Sequence, residues 1–210
     1  MFPETLLNTP RIFIAGTDTD VGKTYVATRL LQAQAEAGLR TVGIKPIASG
    51  CHWQAGQLVN EDALALQIQA TCPLPYSLVN PLAFELPVAP HIAAAPQALS
   101  VSGLLAACQD SFDVACDRQV IEGAGGWLCP LNATETLADF AVALACPVLL
   151  VVGLQLGCLS HAALTYQAIQ ASGAPWLGWV ANRLPPEMPF AAENVEMLSH
   201  LLDAPPLALL

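Results

Sequence analysis

Apolar, β-branched runs alternate along the chain with stretches whose apolar residues recur every three or four positions. Runs bounded by Gly, Pro or Asn at 11–15, 40–45, 119–121, 148–152 and 176–181 each predict a buried strand. Helical spacing or caps mark 23–37, 61–70, 101–110, 137–145 and 161–171, with Ser160 as the expected N-cap of the last. Strands alternating with helices imply a parallel sheet. Right-handed crossovers then cover both faces, giving an α/β, doubly wound architecture. The stretch 72–96 has no clear period and is expected to be irregular.

Composition narrows this picture. Hydrophobic residues make up 54% of the 210 and charged residues 11%, which suits either a deeply buried sheet or a membrane segment. The charge-free stretch between Asp139 and Arg183 is long enough to span a bilayer. Pro147, Gly153, Gln155, Gly157, Ser160 and His161 interrupt it, so it reads as helix, strand and helix. Residues 1–4 hold no basic region before an apolar core, and the expected compartment is the cytoplasm. Residues 1–210 are expected to form a single domain. The seven cysteines are scattered without metal-site spacing and read mostly as reduced core residues. A formal net charge of −10 argues against nucleic acid as a partner. The chain has only two lysines, Lys23 and Lys45, and each stands at a predicted strand or loop end, which invites a functional reading of both.

In sheets of this kind ligands bind beyond the carboxyl ends of the strands. Gly16-Thr17-Asp18-Thr19-Asp20-Val21-Gly22-Lys23-Thr24 follows a strand and opens a helix, the context of a phosphate loop, so the sheet is expected to be of P-loop NTPase type. Five residues rather than four separate Gly16 from Gly22, so the strict pattern is not met. Lys23 would neutralise phosphates and Thr24 would ligate Mg²⁺. Glu122, ahead of Gly123-Ala124-Gly125-Gly126, stands where an acidic metal partner is expected. Asp62 has two readings, a metal ligand or a plain charge in the first turn of a helix. Lys45 either snorkels to solvent or stabilises charge on the sheet edge it shares with the phosphate loop. The turn Gly157-Cys158-Leu159-Ser160 either binds a carboxylate through free N–H groups or only caps a helix.

Together these segments resemble the dethiobiotin synthetases. The resemblance is carried by residues 16–24, Lys45-Pro46-Ile47-Ala48-Ser49-Gly50, Asn60-Glu61-Asp62-Ala63, Val79-Asn80-Pro81, Pro90-His91-Ile92, residues 122–126, Leu156-Gly157-Cys158 and Gly178-Trp179-Val180-Ala181-Asn182, in that order. It implies an ATP- and Mg²⁺-dependent cyclo-ligase of biotin biosynthesis. In that reaction 7,8-diaminopelargonate takes up CO₂ as a carbamate, ATP phosphorylates the carbamate, and the second amine closes the ureido ring. It also implies roles. Lys45 and Lys23 are catalytic. Asp20, Val21, Gly22, Lys23, Thr24, Tyr25, Asp62, Glu122, Gly123, Ala124, Gly125, Asn182 and Arg183 surround nucleotide and metal, with Asn182 on the adenine. Thr24, Asp62 and Glu122 hold Mg²⁺. Thr19, Ser49, Gly157, Cys158, Leu159 and Ser160 face the substrate. The last four belong to a turn that, in a homodimer, is offered to the partner subunit's site.

The sequence departs from the family where Gln155 and Ser160 replace a lysine and an asparagine often found there. It ends at Leu210, ahead of the segment that closes over adenine and ribose in relatives, which leads to the expectation of a looser, less base-selective nucleotide site. Two other readings are a P-loop ATPase switch of the partition or positioning type and a non-catalytic relative. The first class carries a signature lysine where Asp18 stands here, and no counterpart of Lys45-Pro46 is expected in it. Against the second, the residues for phosphate, metal and carbamate chemistry are all present.

Overall fold

The computed structural model describes residues 2–210. In chain order its elements are α1 (Glu4–Asn8), β1 (Arg11–Gly16), α2 (Lys23–Glu36), β2 (Thr41–Ile44), β3 (Ile47–Ala48), β4 (His52–Gln54) and β5 (Gln57–Val59). There follow α3 (Glu61–Gln69), α4 (Tyr76–Val79), β6 (Leu82–Ala83), α5 (Pro90–Ala93), α6 (Val101–Phe112), β7 (Arg118–Glu122) and α7 (Leu137–Ala143). The chain closes with β8 (Val148–Leu154), α8 (Cys158–Ser172), β9 (Trp176–Arg183), α9 (Ala191–Leu201) and β10 (Ala208–Leu209).

Six strands form one parallel sheet in the order β10-β9-β8-β1-β7-β2. Period two along β1 sends Ile12 and Ile14 to one apolar layer and Phe13 and Ala15 to the other. The first layer packs under α1, α2 and α3 through Leu6, Leu30, Leu31 and Leu66. The second layer gathers Leu104, Phe140, Ile169 and Leu198 from α6, α7, α8 and α9. The doubly wound α/β reading is thereby borne out. On edge strand β2, a Cβ at Gly43 would lie 2.9 Å from the Leu66 Cβ and 3.0 Å from a Leu31 methyl, so glycine there lets α2 and α3 close onto the sheet.

The predicted strands and helices all form, with shifted ends. β8 and β9 each run two residues further than expected, so Leu154, Asn182 and Arg183 lie within strands. α8 begins at Cys158, and its N-cap is Gly157 with φ of 98°, not Ser160, which falls inside the first turn. Glycine at the cap tolerates the left-handed backbone, which lets the helix start earlier. The stretch 72–96 holds more order than expected: α4, α5, and β6 paired in parallel with β3. Among the described residues no helix is long and apolar enough to cross a membrane.

Candidate active site

At the carboxyl ends of β1, β2 and β7 lies a cleft of about 760 Å³. Its floor is the loop between β1 and α2. The left-handed backbone of Asp20 (φ 57°) and Gly22 (φ 91°) turns that loop into the start of the helix. A Cβ at Gly22 would sit 2.0 Å from Asn182 Nδ2, so glycine is required both for the turn and for the close approach of β9. Asn182 Nδ2 donates to the Val21 carbonyl at 2.9 Å and ties the loop to the sheet. The amide oxygen of Asn182 is buried without a partner.

Lys23 curls back over the loop and donates to the Asp18 carbonyl at 2.7 Å. Burial, with the charge of Lys45 adding to it, lowers its ammonium from the ordinary 10.5 to about 8. Thr24 Oγ1 donates to Glu122 Oε1 at 2.8 Å. Lys45 Nζ donates to that same Glu122 oxygen at 2.5 Å and to Asp62 Oδ2 at 2.8 Å. Burial opposes the charge on Lys45, but Glu122 and Asp62 outweigh it and hold the ammonium above its ordinary value. Burial likewise works against the Asp62 carboxylate, and the adjacent Lys45 reverses it, leaving the carboxyl below its ordinary value. The two lysines therefore differ: Lys45 is locked in the charged form, whereas Lys23 is poised to lose its proton in mild base.

The donor set fits a hard divalent cation. Glu122 is fully buried and its Oε2 has no hydrogen-bond partner, a costly state for a carboxylate that a cation would relieve. Thr24 Oγ1 and the half-exposed Asp62 carboxylate line the same cleft. Among the described residues no group of three or more His, Cys, Asp or Glu is arranged to hold a metal. A site built on two carboxylates and a hydroxyl suits a cation completed by phosphate and water oxygens rather than a closed protein cage.

Of the residues singled out from sequence, Thr19, Asp20, Gly22, Lys23, Thr24, Lys45, Ser49, Asp62, Glu122, Ala124 and Gly125 line this one cleft. Val21 is buried beneath the loop, Gly123 is buried where β7 ends, and Tyr25 is half exposed on α2. Val21, Tyr25, Gly123, Asn182 and Arg183 are not on the cleft wall, and neither are Gly157, Cys158, Leu159 and Ser160. The turn at 157–160 opens α8 beyond β8, across the sheet from β2. Leu156 beside it is 95% exposed. Sequence reasoning gave no site role to the wall residues Asn60, Gly126 and Pro90, although it quoted their motifs, and it missed Cys129, Pro87, Val88 and Ala89. Asn60 had a legible signal, as an Asn directly before a helix with acidic residues in its first turn. Pro90 opens the Pro90-His91-Ile92 motif, but Pro87, Val88 and Ala89 had no signal, because only tertiary packing brings them to the cleft.

A family model described as an AAA domain matches residues 10–210. The chain is 51% identical over 195 residues to the ATP-dependent dethiobiotin synthetase BioD of Cellvibrio japonicus, covering 92% of this chain and 85% of that one. It is 48% identical to the BioD of Aeromonas hydrophila, covering 92% and 86%, and 43% identical to BioD 1 of Salmonella typhi, covering 94% and 87%. Among solved structures it superposes on the septum site-determining protein MinD of Pyrococcus horikoshii complexed with Mg-ADP, with TM-score 0.59, 18% identity, and coverage of 96% of this chain and 81% of that one. A ParA family ATPase from Chlorobium tepidum gives TM-score 0.54 at 11% identity, covering 97% and 84%. At such identities the structural likeness speaks for a shared P-loop sheet alone. Near half identity over nine-tenths of its length, the chain belongs to the dethiobiotin synthetase family.

Proposed function

We propose that this chain is an ATP-dependent dethiobiotin synthetase whose catalytic pair is Lys23 and Lys45, working on opposite ends of the phosphoryl transfer. The observation behind this reading is the convergence of the phosphate loop, two lysines of different protonation character, and the Thr24, Asp62 and Glu122 oxygens in one cleft. An amine of 7,8-diaminopelargonate takes up CO₂ as a carbamate. A carbamate oxygen attacks the γ-phosphorus of ATP and ADP leaves. The second amine then attacks the carbonyl carbon, phosphate departs, and the ureido ring closes.

The loop N–H groups and the start of α2 cradle the phosphates, and Lys23 leaves the Asp18 carbonyl to neutralise them. Lys45 does not serve as a base, because its carboxylate partners keep it protonated. An ammonium has three N–H donors, and Asp62 and Glu122 take two. The third is free for a carbamate oxygen, on which negative charge must be held in line with the γ-phosphate. Thr24, Asp62 and Glu122 are the residues that would hold Mg²⁺, which when bound would supply neutralisation of the phosphoryl oxygens. Ser49 lies on the acceptor side of the cleft with its hydroxyl buried and unpartnered, as suits a hydrogen bond to the bound acceptor.

Residues 157–160 serve the substrate carboxylate across a homodimer in this reading. Their distance from their own cleft wall and the exposure of Leu156 and Leu164 support it. The chain works as one P-loop domain in the cytoplasm, without a nucleic-acid partner. The ATPase-switch alternative has the fold in its favour, but Asp18 stands where that class has its signature lysine, and no counterpart of Lys45-Pro46 is expected in it. Turnover with carbon-labelled bicarbonate tests the proposal: the label belongs in the ureido carbonyl of dethiobiotin, and a product without it overturns the carbamate route.

A further inference from the structure

The geometry points to Tyr76 as a positioning residue for the phosphoryl acceptor end of the site, acting through Lys45 and Asp62. The inference rests on the proposed function and concerns Tyr76 and Asn80, neither of which lies on the cleft wall. Lys45 lies one residue beyond β2, the edge strand of the sheet, and before Pro46. Its main chain is held instead by the α4 segment. The Lys45 N–H donates to the Val79 carbonyl at 2.7 Å, and the Lys45 carbonyl accepts from Asn80 Nδ2 at 2.7 Å.

From Asn80 the hydrogen bonds run on in a closed circuit. The Tyr76 hydroxyl donates to Asn80 Oδ1 at 3.1 Å and accepts from the Asn60 backbone N–H at 2.7 Å. Asn60 Oδ1 in turn accepts from the backbone N–H of Asp62 at 3.1 Å, capping α3. The Asp62 carboxylate meets Lys45 Nζ at 2.8 Å, which completes the ring. Asn60 Nδ2 also reaches the Ser49 carbonyl at 3.4 Å. One phenol oxygen thus joins the segment that carries Lys45 to the segment that carries Asp62.

Tyr76 and Asn80 are both buried, so water does not compete for these bonds. Two independent backbone segments must stay in register for Lys45 Nζ to face the acceptor. A displacement of about 1 Å in such an arrangement costs on the order of a hundredfold in rate. Lys23 and the phosphate loop lie outside the ring. Cutting it should therefore spare nucleotide binding and slow the chemistry.

Tyr76→Phe removes the oxygen and little else. The expected result is a kcat for dethiobiotin formation about tenfold below wild type, with the ATP Kd measured in EDTA unchanged within about threefold. A purely structural role would lower the melting temperature and leave kcat alone. A kcat within about twofold of wild type overturns the inference, and so does a parallel loss of ATP affinity. Should Tyr76→Phe fail to fold, Asn80→Ala cuts the ring at the Lys45 carbonyl and carries the same expectation and the same contrary outcomes. Wild-type protein assayed alongside separates the two levels: no dethiobiotin from wild type contradicts the proposed function, whereas an active wild type with an equally active variant contradicts only the role of Tyr76.

Discussion

Lys45 and Glu122 form an ion pair shut off from solvent, with Nζ 2.5 Å from Oε1 and side-chain exposures of 5% and 0%. Neither charge is tolerable there alone. Lys45→Ala leaves Glu122 buried without its cation. The variant should lose about 3 kcal/mol of stability and about a hundredfold to a thousandfold in dethiobiotin turnover. Adding Glu122→Gln should restore much of the stability and none of the turnover. Urea denaturation and product assays read the two separately, and a stable, active Lys45→Ala would remove the lysine from the mechanism.

Lys23 sets a pH dependence for nucleotide binding. Its pKa of about 8 in the free protein means that it is charged at pH 6.5 and largely neutral at pH 9. Bound phosphates favour the charged form. ATP binding at pH 9 should therefore take up close to one proton, and at pH 6.5 close to none. Affinity should fall as pH rises above about 8. Calorimetry in buffers of different ionisation enthalpy measures the uptake, and equal uptake at both pH values would contradict the assignment.

Gly22→Ala meets two obstacles, the positive φ and the Asn182 amide 2.0 Å from the new Cβ. We expect a loss of about 1–3 kcal/mol and no detectable ATP binding. Combining it with Asn182→Ala relieves the clash but not the backbone strain, so part of the stability returns while binding stays poor. Thermal melts of the single and double variants check this. Wild-type ATP affinity in Gly22→Ala would show that the loop does not hold phosphate.

The cation site predicts that Asp62→Asn and Glu122→Gln each raise the Mg²⁺ concentration needed for half-maximal activity, about tenfold or more. Titration of activity with Mg²⁺ at fixed ATP measures it, and an unchanged requirement would exclude these oxygens. Asp62→Asn should have the smaller effect on stability, since Asp62 is half exposed and Glu122 is not.

Strand ends were legible because a buried parallel strand must be apolar, so a charged residue at its end, such as Glu122 or Lys45, stands out in sequence. The phosphate loop was legible for the same reason, with glycine and lysine set between a strand and a helix. What escaped depends on distant partners. β10 is a two-residue strand that exists only because β9 offers a free edge. The tie from the Asn182 amide N–H to the Val21 carbonyl joins residues 161 apart in sequence, and no local pattern announces it. Residues 157–160 read as a turn ahead of a helix starting at 161, whereas the helix starts at Cys158 with its cap at Gly157, because the left-handed turn is a backbone property that Ser160 masked.

The most direct test supplies purified protein with 7,8-diaminopelargonate, bicarbonate, Mg²⁺ and ATP, and follows ADP and dethiobiotin together. The account predicts one dethiobiotin formed for each ADP released, with both products lost in Lys45→Ala. Release of ADP without dethiobiotin would contradict it, and would return the chain to the class of P-loop ATPases whose fold it shares.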